Sequence, residues 1–349
     1  MRPADGLKMV FAMMVATALC AAPRQTALAD PTAIKGDGST FAYPMYEKWI
    51  EEYQKENPAV LITYQSNGSG AGIHDIMLAL VDFAGTDGPL TNTQMLDFST
   101  HRNCEVLHYP TALGADVPVY NIAGVQGLKF TPEALSGIYL GDIGWWDDAA
   151  IAKANPGVAL PHSRIVVVHR QDGSGTTYVW TDYLSKVSQS WRDRAGTGIS
   201  VNWPVGIASK GNEGVAQMVA KTPNSIGYVE LTYAVRKHLN YGAVENRAGN
   251  FIVADLASVT AAAAEAALKM PDDFRVSITD APGEKAYPIS SFTWMLVPSD
   301  VPDSAKRAAI QGFLRWGLGR GQEQLEPLNY ARLPSNIIDQ ENKVLARIK

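Results

Sequence analysis

The chain has 349 residues, of which 46% are hydrophobic, and it carries a formal net charge of −5. This length and composition are sufficient for one large or two smaller globular domains, and they exclude an intrinsically disordered chain. The acidic balance disfavours general binding to nucleic acid or anionic lipid, so an anion would have to be held by local geometry.

The first 29 residues have the pattern of an export signal. Arg2 and Lys8 precede an uncharged stretch, residues 9–22, and residues 27–29 (Ala-Leu-Ala) form a small-x-small cleavage site. The apolar stretch is too short to span a bilayer, so we expect a signal peptide and not a membrane anchor. Cleavage is expected after Ala29.

Two cysteines bear on lipid anchoring and on disulfide formation. Cys20 lies where a lipid-modified cysteine could stand, but Leu19 is bulky at a position where lipoprotein processing prefers a small residue. We therefore expect no lipid anchor. After cleavage Cys104 is the one cysteine left in the sequence, which excludes an intramolecular disulfide. We interpret Cys104 as a small apolar filler.

Further along the chain, short apolar strand candidates alternate with helix patterns. The strand candidates are residues 59–65, 81–87, 117–122, 164–170 and 225–230. Helices are predicted after the Thr131-Pro132 start signal, over the alanine-rich residues 257–270, and after Ser304. This alternation predicts an α/β fold with largely parallel sheets.

The residues that follow the signal contain no linker-like segment. Two domains without a linker are typically joined by more than one chain crossing. The extended apolar segments at residues 112–122 and 286–298 are candidates for such crossing strands.

Three loops of small residues each precede a predicted helix. They are GDGSTFAYP from Gly36, SNGSGAG from Ser66 and RQDGSGTT from Arg170. The first N–H groups of a helix lack intrahelical partners, and the helix dipole places partial positive charge there, so such loops suit an anion. For a single loop, the alternative is a helix start preceded by a flexible segment that binds nothing. Ser69 could cap its helix and also donate its hydroxyl to a ligand. The recurrence of the pattern favours an anion site.

Two charged residues are candidates for the same anion site. Arg170 ends a strand candidate and could grip an oxyanion through two parallel hydrogen bonds while Asp172 orients it; a solvated surface arginine is the alternative. Asp87 follows a strand, where open α/β sheets bind ligands, but a carboxylate repels an anion that has no proton to donate. The alternative role of Asp87 is to cap the helix after Pro89.

Motifs of common enzyme classes do not occur in the sequence. Gly211 is not followed by the Lys-Ser/Thr pair of a phosphate-binding loop, and there is no G-x-S-x-G nucleophile elbow. The six histidines lack the spacing and the carboxylate partners of a zinc site. We therefore expect no catalytic residue, no metal and no cofactor.

Seven segments, in chain order, carry a family resemblance. They are GDGSTFAYPMYEKW, YQSNGSGAGI, VDFAGTDGPL, IYLGDIGWWDDAAIAKANPG, RQDGSGTTYVWTDYLSKVSQSW, WPVGIASKGNEGVAQMVAKTPNSIGYVE and YARLPSNII. Together they resemble the periplasmic phosphate-binding proteins of the phosphate-specific ABC importer, which are type II periplasmic binding proteins. The Arg-x-Asp-Gly-Ser-Gly-Thr motif that begins at Arg170 is the most specific part.

The resemblance implies a set of phosphate ligands. These would be Thr40, Phe41, Ser69, Asp87, Arg170, Ser174, Gly175 and Thr176, with Phe41 and Gly175 acting through their backbone N–H groups. Asp172 would orient Arg170. The sequence departs from the family pattern at Asp37 and Ser39, where small apolar residues are usual, and at Gly70, which replaces a serine.

The resemblance also implies a two-lobed fold that closes around one dehydrated phosphate. Each lobe would be a mixed, largely parallel sheet flanked by helices. The expected lobes are residues 30–116 with 291–349, and residues 117–290. A two-strand hinge would lie near residues 117–121 and 290–295.

The function implied by the resemblance is that of a solute-binding protein for inorganic phosphate. We expect an exported, periplasmic monomer that delivers phosphate to the membrane permease subunits of an ABC transporter and has no nucleic-acid partner. Two alternatives stay open. One is a receptor for another tetrahedral oxyanion, which the carboxylate of Asp87 disfavours. The other is a secreted phosphatase-like enzyme, which would need a nucleophile and usually metal ligands.

Overall fold

The computed structural model describes residues 30–349, and Pro31–Lys349 form one compact unit. The predicted signal peptide, its cleavage site and Cys20 lie outside the described residues. Among the helices of the described part, none has the length and apolar character that a membrane span requires.

Strands and helices alternate through the described residues, as the sequence predicts. The strands are β1 (Thr32–Gly38), β2 (Val60–Gln65), β3 (Phe83–Thr86), β4 (Val106–Asn121), β5 (Lys129–Phe130), β6 (Val166–Arg170), β7 (Ile207–Ser209), β8 (Ser225–Glu230), β9 (Asn240–Tyr241), β10 (Ala243–Glu245), β11 (Phe251–Ile252) and β12 (Ser290–Pro298). The α-helices are α1 (Tyr43–Glu56), α2 (Ser69–Met77), α3 (Asn92–Arg102), α4 (Pro132–Leu140), α5 (Ala149–Ala152), α6 (Gly175–Val187), α7 (Gln189–Arg194), α8 (Gly211–Lys221), α9 (Leu231–Arg236), α10 (Leu256–Leu268), α11 (Ser304–Leu318) and α12 (Ser335–Val344). Short 3₁₀ helices span Arg320–Gln324, Glu326–Leu328 and Leu345–Arg347.

The main sheet is mixed. Its strand order is β2-β1-β3-β12-β4-β8-β6-β7, and the short strand β9 also pairs with β4, outside this linear order. Strand β1 is parallel to β2 and β3 at one flank, and β6 is parallel to β8 and β7 at the other. The central pairs, β3 with β12, β12 with β4 and β4 with β8, are antiparallel. Strands β11, β10 and β5 form a separate three-stranded sheet.

Strand β4 changes its pairing partner part-way along its length. It pairs with β12 up to Ala115 and with β8 from Asp116 onward, where Asp116 stands opposite Glu230. Both segments predicted as crossing strands are therefore strands of the central sheet. The change of partner lies next to residues 117–121, where the sequence predicts the hinge.

Aromatic side chains at helical spacing attach α1 to the rest of the fold. Tyr46, Trp49 and Tyr53 are at most 5% exposed, and the Trp49 ring lies edge-on to Phe313 of α11 with 6.3 Å between ring centroids. Apolar residues spaced three and four apart share one helix face, which is why the sequence pattern predicts this packing. Cys104 is partly buried against a second, smaller apolar cluster, in line with its interpretation as a filler.

Helix starts agree with the sequence at α4 and differ by one residue at α11. Thr131 caps α4, and its Oγ1 accepts the Ala134 N–H at 3.1 Å. The cap of α11 is Asp303 and not Ser304, which is the first helical residue. A carboxylate can accept two N–H groups of the first turn, and Asp303 accepts two of them, at 2.9 and 3.1 Å.

The parallel flanks of the sheet bring several loops together. The carboxyl ends of β1, β2 and β3 lie at one edge of their flank, and loops lead from β1 into α1 and from β2 into α2. Strands β6, β7 and β8 run the same way in the other flank and lead into α6, α8 and α9. Loops at the carboxyl ends of strands are where open α/β sheets bind ligands.

Candidate anion-binding site

Asp87 lies directly after β3 and is the centre of a buried hydrogen-bond cluster. It is 1% exposed, and its carboxylate accepts from Ser39 Oγ at 2.6 and 2.7 Å and from Thr293 Oγ1 at 2.7 Å. Ser69 Oγ lies 3.4 Å from Oδ2. Asp87 does not cap the next helix, because Thr91 caps α3 with its own side chain.

Burial raises the pKa of Asp87 to about 6. A carboxylate that leaves water loses hydration, which favours the protonated form, while the hydroxyls of Ser39, Thr293 and Ser69 and the charge of Arg170 favour the ionised form. Above this pH the group is an ionised acceptor. Below it, the group holds a proton and can no longer accept one from a ligand.

Ser69 takes part in the site but does not cap its helix. The cap of α2 is Gly68, with φ 100, and it makes no side-chain cap hydrogen bond; Ser69 is the first helical residue. Only glycine adopts such a backbone conformation at no steric cost, so Gly68 sets the turn that carries Ser69 towards Asp87.

Arg170 ends β6 and is 3% exposed. Its Nε donates to Asp172 Oδ1 at 2.9 Å, one Nη2 N–H donates to Asp172 Oδ2, and one Nη1 N–H donates to Thr176 Oγ1 at 3.2 Å. A guanidinium carries five N–H groups, so one on each terminal nitrogen is without an acceptor among the described residues. Two such N–H groups form the fork that binds oxyanions.

Asp172 holds Arg170 in a fixed orientation. Burial opposes the charge on Asp172, but the hydrogen bond and charge of Arg170 and the Gly211 N–H outweigh it and lower the pKa of this carboxyl. The Gly211 N–H donates to Asp172 Oδ1 at 2.9 Å. The pair therefore stays ionised and carries no net charge.

The N-terminus of α6 lies against Asp87. Ser174 caps the helix, and its Oγ accepts the Thr177 N–H at 3.0 Å. Its own proton has no acceptor within residues 30–349 and is available to a ligand. A Cβ added to Gly175 would lie 2.3 Å from Asp87 Oδ2 and 2.6 Å from Ser69 Oγ. This close approach requires glycine, and it places the start of α6 beside the carboxylate.

Thr40 and Phe41 lie in the loop between β1 and α1. Thr40 is 6% exposed and Phe41 is fully buried. The Thr40 carbonyl accepts from Tyr233 Oη at 2.6 Å, and the Phe41 carbonyl accepts from the Tyr330 hydroxyl. These bonds fix the backbone of the loop, and the Phe41 N–H has no acceptor in the part of the chain that the structure describes.

Sequence reasoning missed three side chains of the site. In the sequence, Ser39 stands out only as a departure from the family pattern, but its hydroxyl contacts both oxygens of Asp87. Thr293 is a polar residue inside the apolar strand β12, a pattern that could have marked it. Asn212 is fully buried at the second position of α8 and contacts Thr40 Oγ1 at 2.8 Å.

The predicted ligands come from distant parts of the chain and meet in one place. Asp87 and Ser69 contact Gly175, and the N–H of Gly70, in the first turn of α2, donates to the Gly173 carbonyl at 2.9 Å. Within residues 30–349 no group of three or more His, Cys, Asp or Glu side chains is arranged to hold a metal ion. The arrangement is a buried set of hydrogen-bond donors around one carboxylate acceptor.

Comparison with known proteins identifies the family. Residues 25–320 match the family model of the PBP superfamily domain. The phosphate-binding protein PstS of Xylella fastidiosa is 41% identical over 309 residues, which cover 88% of this chain and 83% of that protein. This chain belongs to the PstS phosphate-binding protein family. The PstS protein of Pasteurella multocida is 39% identical over 307 residues, 87% of each chain.

A solved structure agrees on the fold. The phosphate-binding protein from Stenotrophomonas maltophilia superposes with a TM-score of 0.70 at 20% identity, covering 90% of this chain and 93% of that protein. At this identity the likeness bears on architecture alone. It confirms the predicted α/β fold class of the PstS family.

Proposed function

We propose that this chain is an exported receptor for inorganic phosphate that delivers it to an ABC importer. The observation that carries the proposal is one buried site that combines the open N–H fork of Arg170, the acceptor Asp87 and the N-terminus of α6. Membership of the PstS family supports the same ligand.

Phosphate suits both the donors and the acceptor of this site. Its unprotonated oxygens can accept from the Arg170 fork, from the hydroxyls of Thr40, Ser174 and Thr176, and from the N–H groups at the loops. Its proton can be donated to Asp87, which is ionised above a pKa of about 6. The site thus matches an anion that retains at least one proton at neutral pH.

A receptor for sulfate is the closest alternative. Sulfate has no proton at neutral pH, so its oxygen lone pairs would face those of the buried Asp87 carboxylate. Such a mismatch leaves the ligand-facing lone pair of the Asp87 carboxylate without a donor and costs on the order of 1 to 3 kcal/mol, to which like-charge repulsion is added. We therefore propose that Asp87 selects phosphate over sulfate.

A secreted phosphatase is the more distant alternative. The serine hydroxyls at the site are engaged with Asp87 or with the α6 backbone, and among the described residues none of them is paired with a histidine base. Family membership also favours binding without turnover. We propose that the site binds phosphate and releases it unchanged.

We further propose two lobes that close on phosphate. Residues 30–116 with 291–349 would form one lobe, and residues 117–290 the other. Support comes from β4 and β12, which are adjacent central strands, and from ligands supplied by both parts of the chain. A ligand that contacts both lobes favours the closed state. Small-angle scattering should show a smaller radius of gyration with phosphate than without; identical profiles would contradict closure.

The cellular setting follows from the same proposal. A periplasmic monomer, with the signal removed after Ala29, would present phosphate to the membrane permease subunits of the transporter. Mass spectrometry of the exported protein tests the cleavage site. A mature N-terminus at an acylated Cys20 would contradict it.

Calorimetry of residues 30–349 with phosphate and with sulfate tests the function directly. We expect one phosphate per chain and much weaker binding of sulfate. A parallel assay with a chromogenic phosphomonoester should show no turnover. Equal binding of the two anions, or turnover that the Arg170→Ala variant loses, would overturn the proposed function.

A further inference from the structure

Asn212 lies between two of the predicted phosphate ligands although it is not one of them. It is 0% exposed, and its Nδ2 donates to Thr40 Oγ1 at 2.8 Å and to Thr176 Oγ1 at 3.0 Å. An amide nitrogen has two N–H groups, so both are used in this bridge. The bridge joins residues that lie 172 and 36 positions away from Asn212 in the chain.

The orientation of the Asn212 amide follows from a third hydrogen bond. Its Oδ1 accepts the backbone N–H of Glu230 at 2.9 Å. If the amide were flipped, its NH₂ group would face this N–H and two donors would oppose each other in the interior. The donor end of Asn212 therefore faces the two threonines.

The hydroxyl of Thr40 has no accepting capacity left. Its Oγ1 receives the Asn212 Nδ2–H and also the Asn212 backbone N–H at 3.3 Å. A hydroxyl oxygen accepts two hydrogen bonds and donates one. The Thr40 proton has no acceptor among residues 30–349, so it is available to a ligand as a donor.

The hydroxyl of Thr176 is in the same state. Its Oγ1 receives the second Asn212 Nδ2–H and an Arg170 Nη1–H at 3.2 Å. Both lone pairs are occupied, and its proton too lacks an acceptor within the described part of the chain. Two hydroxyls that could in principle donate or accept are thus restricted to donating.

We propose that Asn212 is a positioning residue that makes Thr40 and Thr176 donate to the bound anion. This inference rests on the proposed phosphate-binding function. Because neither threonine can accept, a proton carried by the ligand has to be directed elsewhere, and Asp87 is the acceptor already placed there. Asn212 therefore determines the direction of hydrogen bonding at the site without touching the ligand.

The same bridge joins the two proposed lobes. Thr40 belongs to the segment before residue 117, whereas Asn212 and Thr176 belong to the segment 117–290. The two bonds from Asn212 to Thr40 would therefore form when the lobes close and would orient the Thr40 hydroxyl at that moment. Ordering of the donors and closure would then be a single event.

A double-mutant cycle tests the proposal. Asn212→Ala is expected to weaken phosphate binding roughly 10- to 100-fold, since the two hydroxyls become free to turn away from the charged ligand. Thr40→Val and Thr176→Val remove the hydroxyls themselves. If Asn212 acts through them, adding Asn212→Ala to either variant should cost clearly less than it costs the wild type. Full additivity with both variants would overturn the proposal.

Asn155→Ala is the matched control. Asn155 is also buried, and its amide donates to the Lys129 and Ile151 carbonyls at 2.9 Å and accepts the Lys129 N–H at 2.8 Å. Its loss should lower the melting temperature without changing phosphate affinity. An affinity loss equal to that of Asn212→Ala would make the Asn212 effect one of general stability and overturn the proposal.

A second variant covers the case in which Asn212→Ala does not fold. Asn212→Asp keeps the shape and the acceptor for Glu230 but replaces the NH₂ donor with an oxygen that accepts from the threonines. We expect it to bind phosphate roughly 10-fold or more weakly than the wild type. A space-filling role, which the aspartate side chain preserves, would instead leave the affinity near that of the wild type and overturn the proposal. Wild-type protein that fails to bind phosphate would instead refute the proposed function.

Discussion

Replacing Arg170 with alanine is expected to weaken phosphate binding by about 2 to 5 kcal/mol, or roughly 30- to 5,000-fold. The change removes the two N–H groups that have no protein acceptor within the described residues. It also leaves Asp172, whose side chain is 12% exposed, as a negative charge beside the anion without its partner. Both effects act in the same direction, which places the expected loss well above that of a surface ion pair.

Arg170→Lys should restore only part of this loss. An ammonium group replaces the charge, but it cannot hold Asp172 and present two parallel N–H groups to the ligand at once. Calorimetric titration at fixed ionic strength is the assay, with Arg247→Ala as the control. Arg247 pairs with Asp280 and its side chain is 56% exposed, so its loss should not change the affinity. Wild-type affinity in both Arg170 variants would refute the assignment of Arg170 as a ligand.

Three further substitutions examine the acceptor side of the site and its close packing. Asp87→Asn is expected to admit sulfate, because its amide offers a donor; competition titrations in which sulfate stays excluded would contradict this. The hydrogen bond from Ser39 favours the ionised form of Asp87, so Ser39→Ala should raise the pKa of Asp87 above its value of about 6. Phosphate binding by this variant should therefore begin to weaken at a higher pH than in the wild type. Ser291→Ala is the control, because it loses only a 3.2 Å bond to the Asp87 carbonyl and should not shift the pH profile. Dividing the affinity of each variant by that of the wild type at the same pH removes the contribution from the ionisation of phosphate itself. Gly175→Ala places a Cβ 2.3 Å from Asp87 Oδ2 and should reduce phosphate affinity. Gly144→Ala is the control, because its Cβ would lie 3.9 Å from the nearest atom and should leave the affinity unchanged. Equal phosphate affinities of the two variants would show that the close contact at Gly175 is dispensable.

Local signals in the sequence predict much of the fold. The spacing of Tyr46, Trp49 and Tyr53 predicts the buried face of α1, because residues three and four apart lie on one side of a helix. Thr131 and Pro132 predict the start of α4, because a cap and a first-turn proline satisfy local backbone requirements. Such features depend on residues only a few positions apart.

The helix starts that were mispredicted show the limit of local signals. Both Asp303 and Ser304 are good capping residues, and adjacent candidates cannot be separated by residue preference alone. Ser69 also has a side chain that can cap a helix, but Gly68 is the cap of α2, with a φ of 100°, and Ser69 is the first helical residue. The Ser69 hydroxyl therefore does not cap the helix and faces Asp87. Tertiary contacts decide such cases.

Contacts in the site can be predicted from the sequence where the two partner residues are close together in the chain. Arg170 and Asp172 are two residues apart, and their ion pair could be expected from the motif. Asn212 contacts Thr40 across 172 positions, and Thr293 contacts Asp87 across 206. No periodicity or spacing rule relates residues at such separations, so their roles become visible only when the sheet brings the strand ends together.

The charges around the site explain how an acidic chain can hold an anion. Arg170 is balanced by Asp172, so the pair adds hydrogen-bond donors but no net charge. Asp116 and Glu230 stand opposite each other, fully buried, and burial raises the pKa of both carboxyls well above the usual range. Burial therefore favours the neutral form of these two carboxyls, and this weakens the repulsion that an anion meets in this region. What remains is a set of fixed donors and the carboxylate of Asp87, and such a site distinguishes anions by the protons they carry and not by their charge alone.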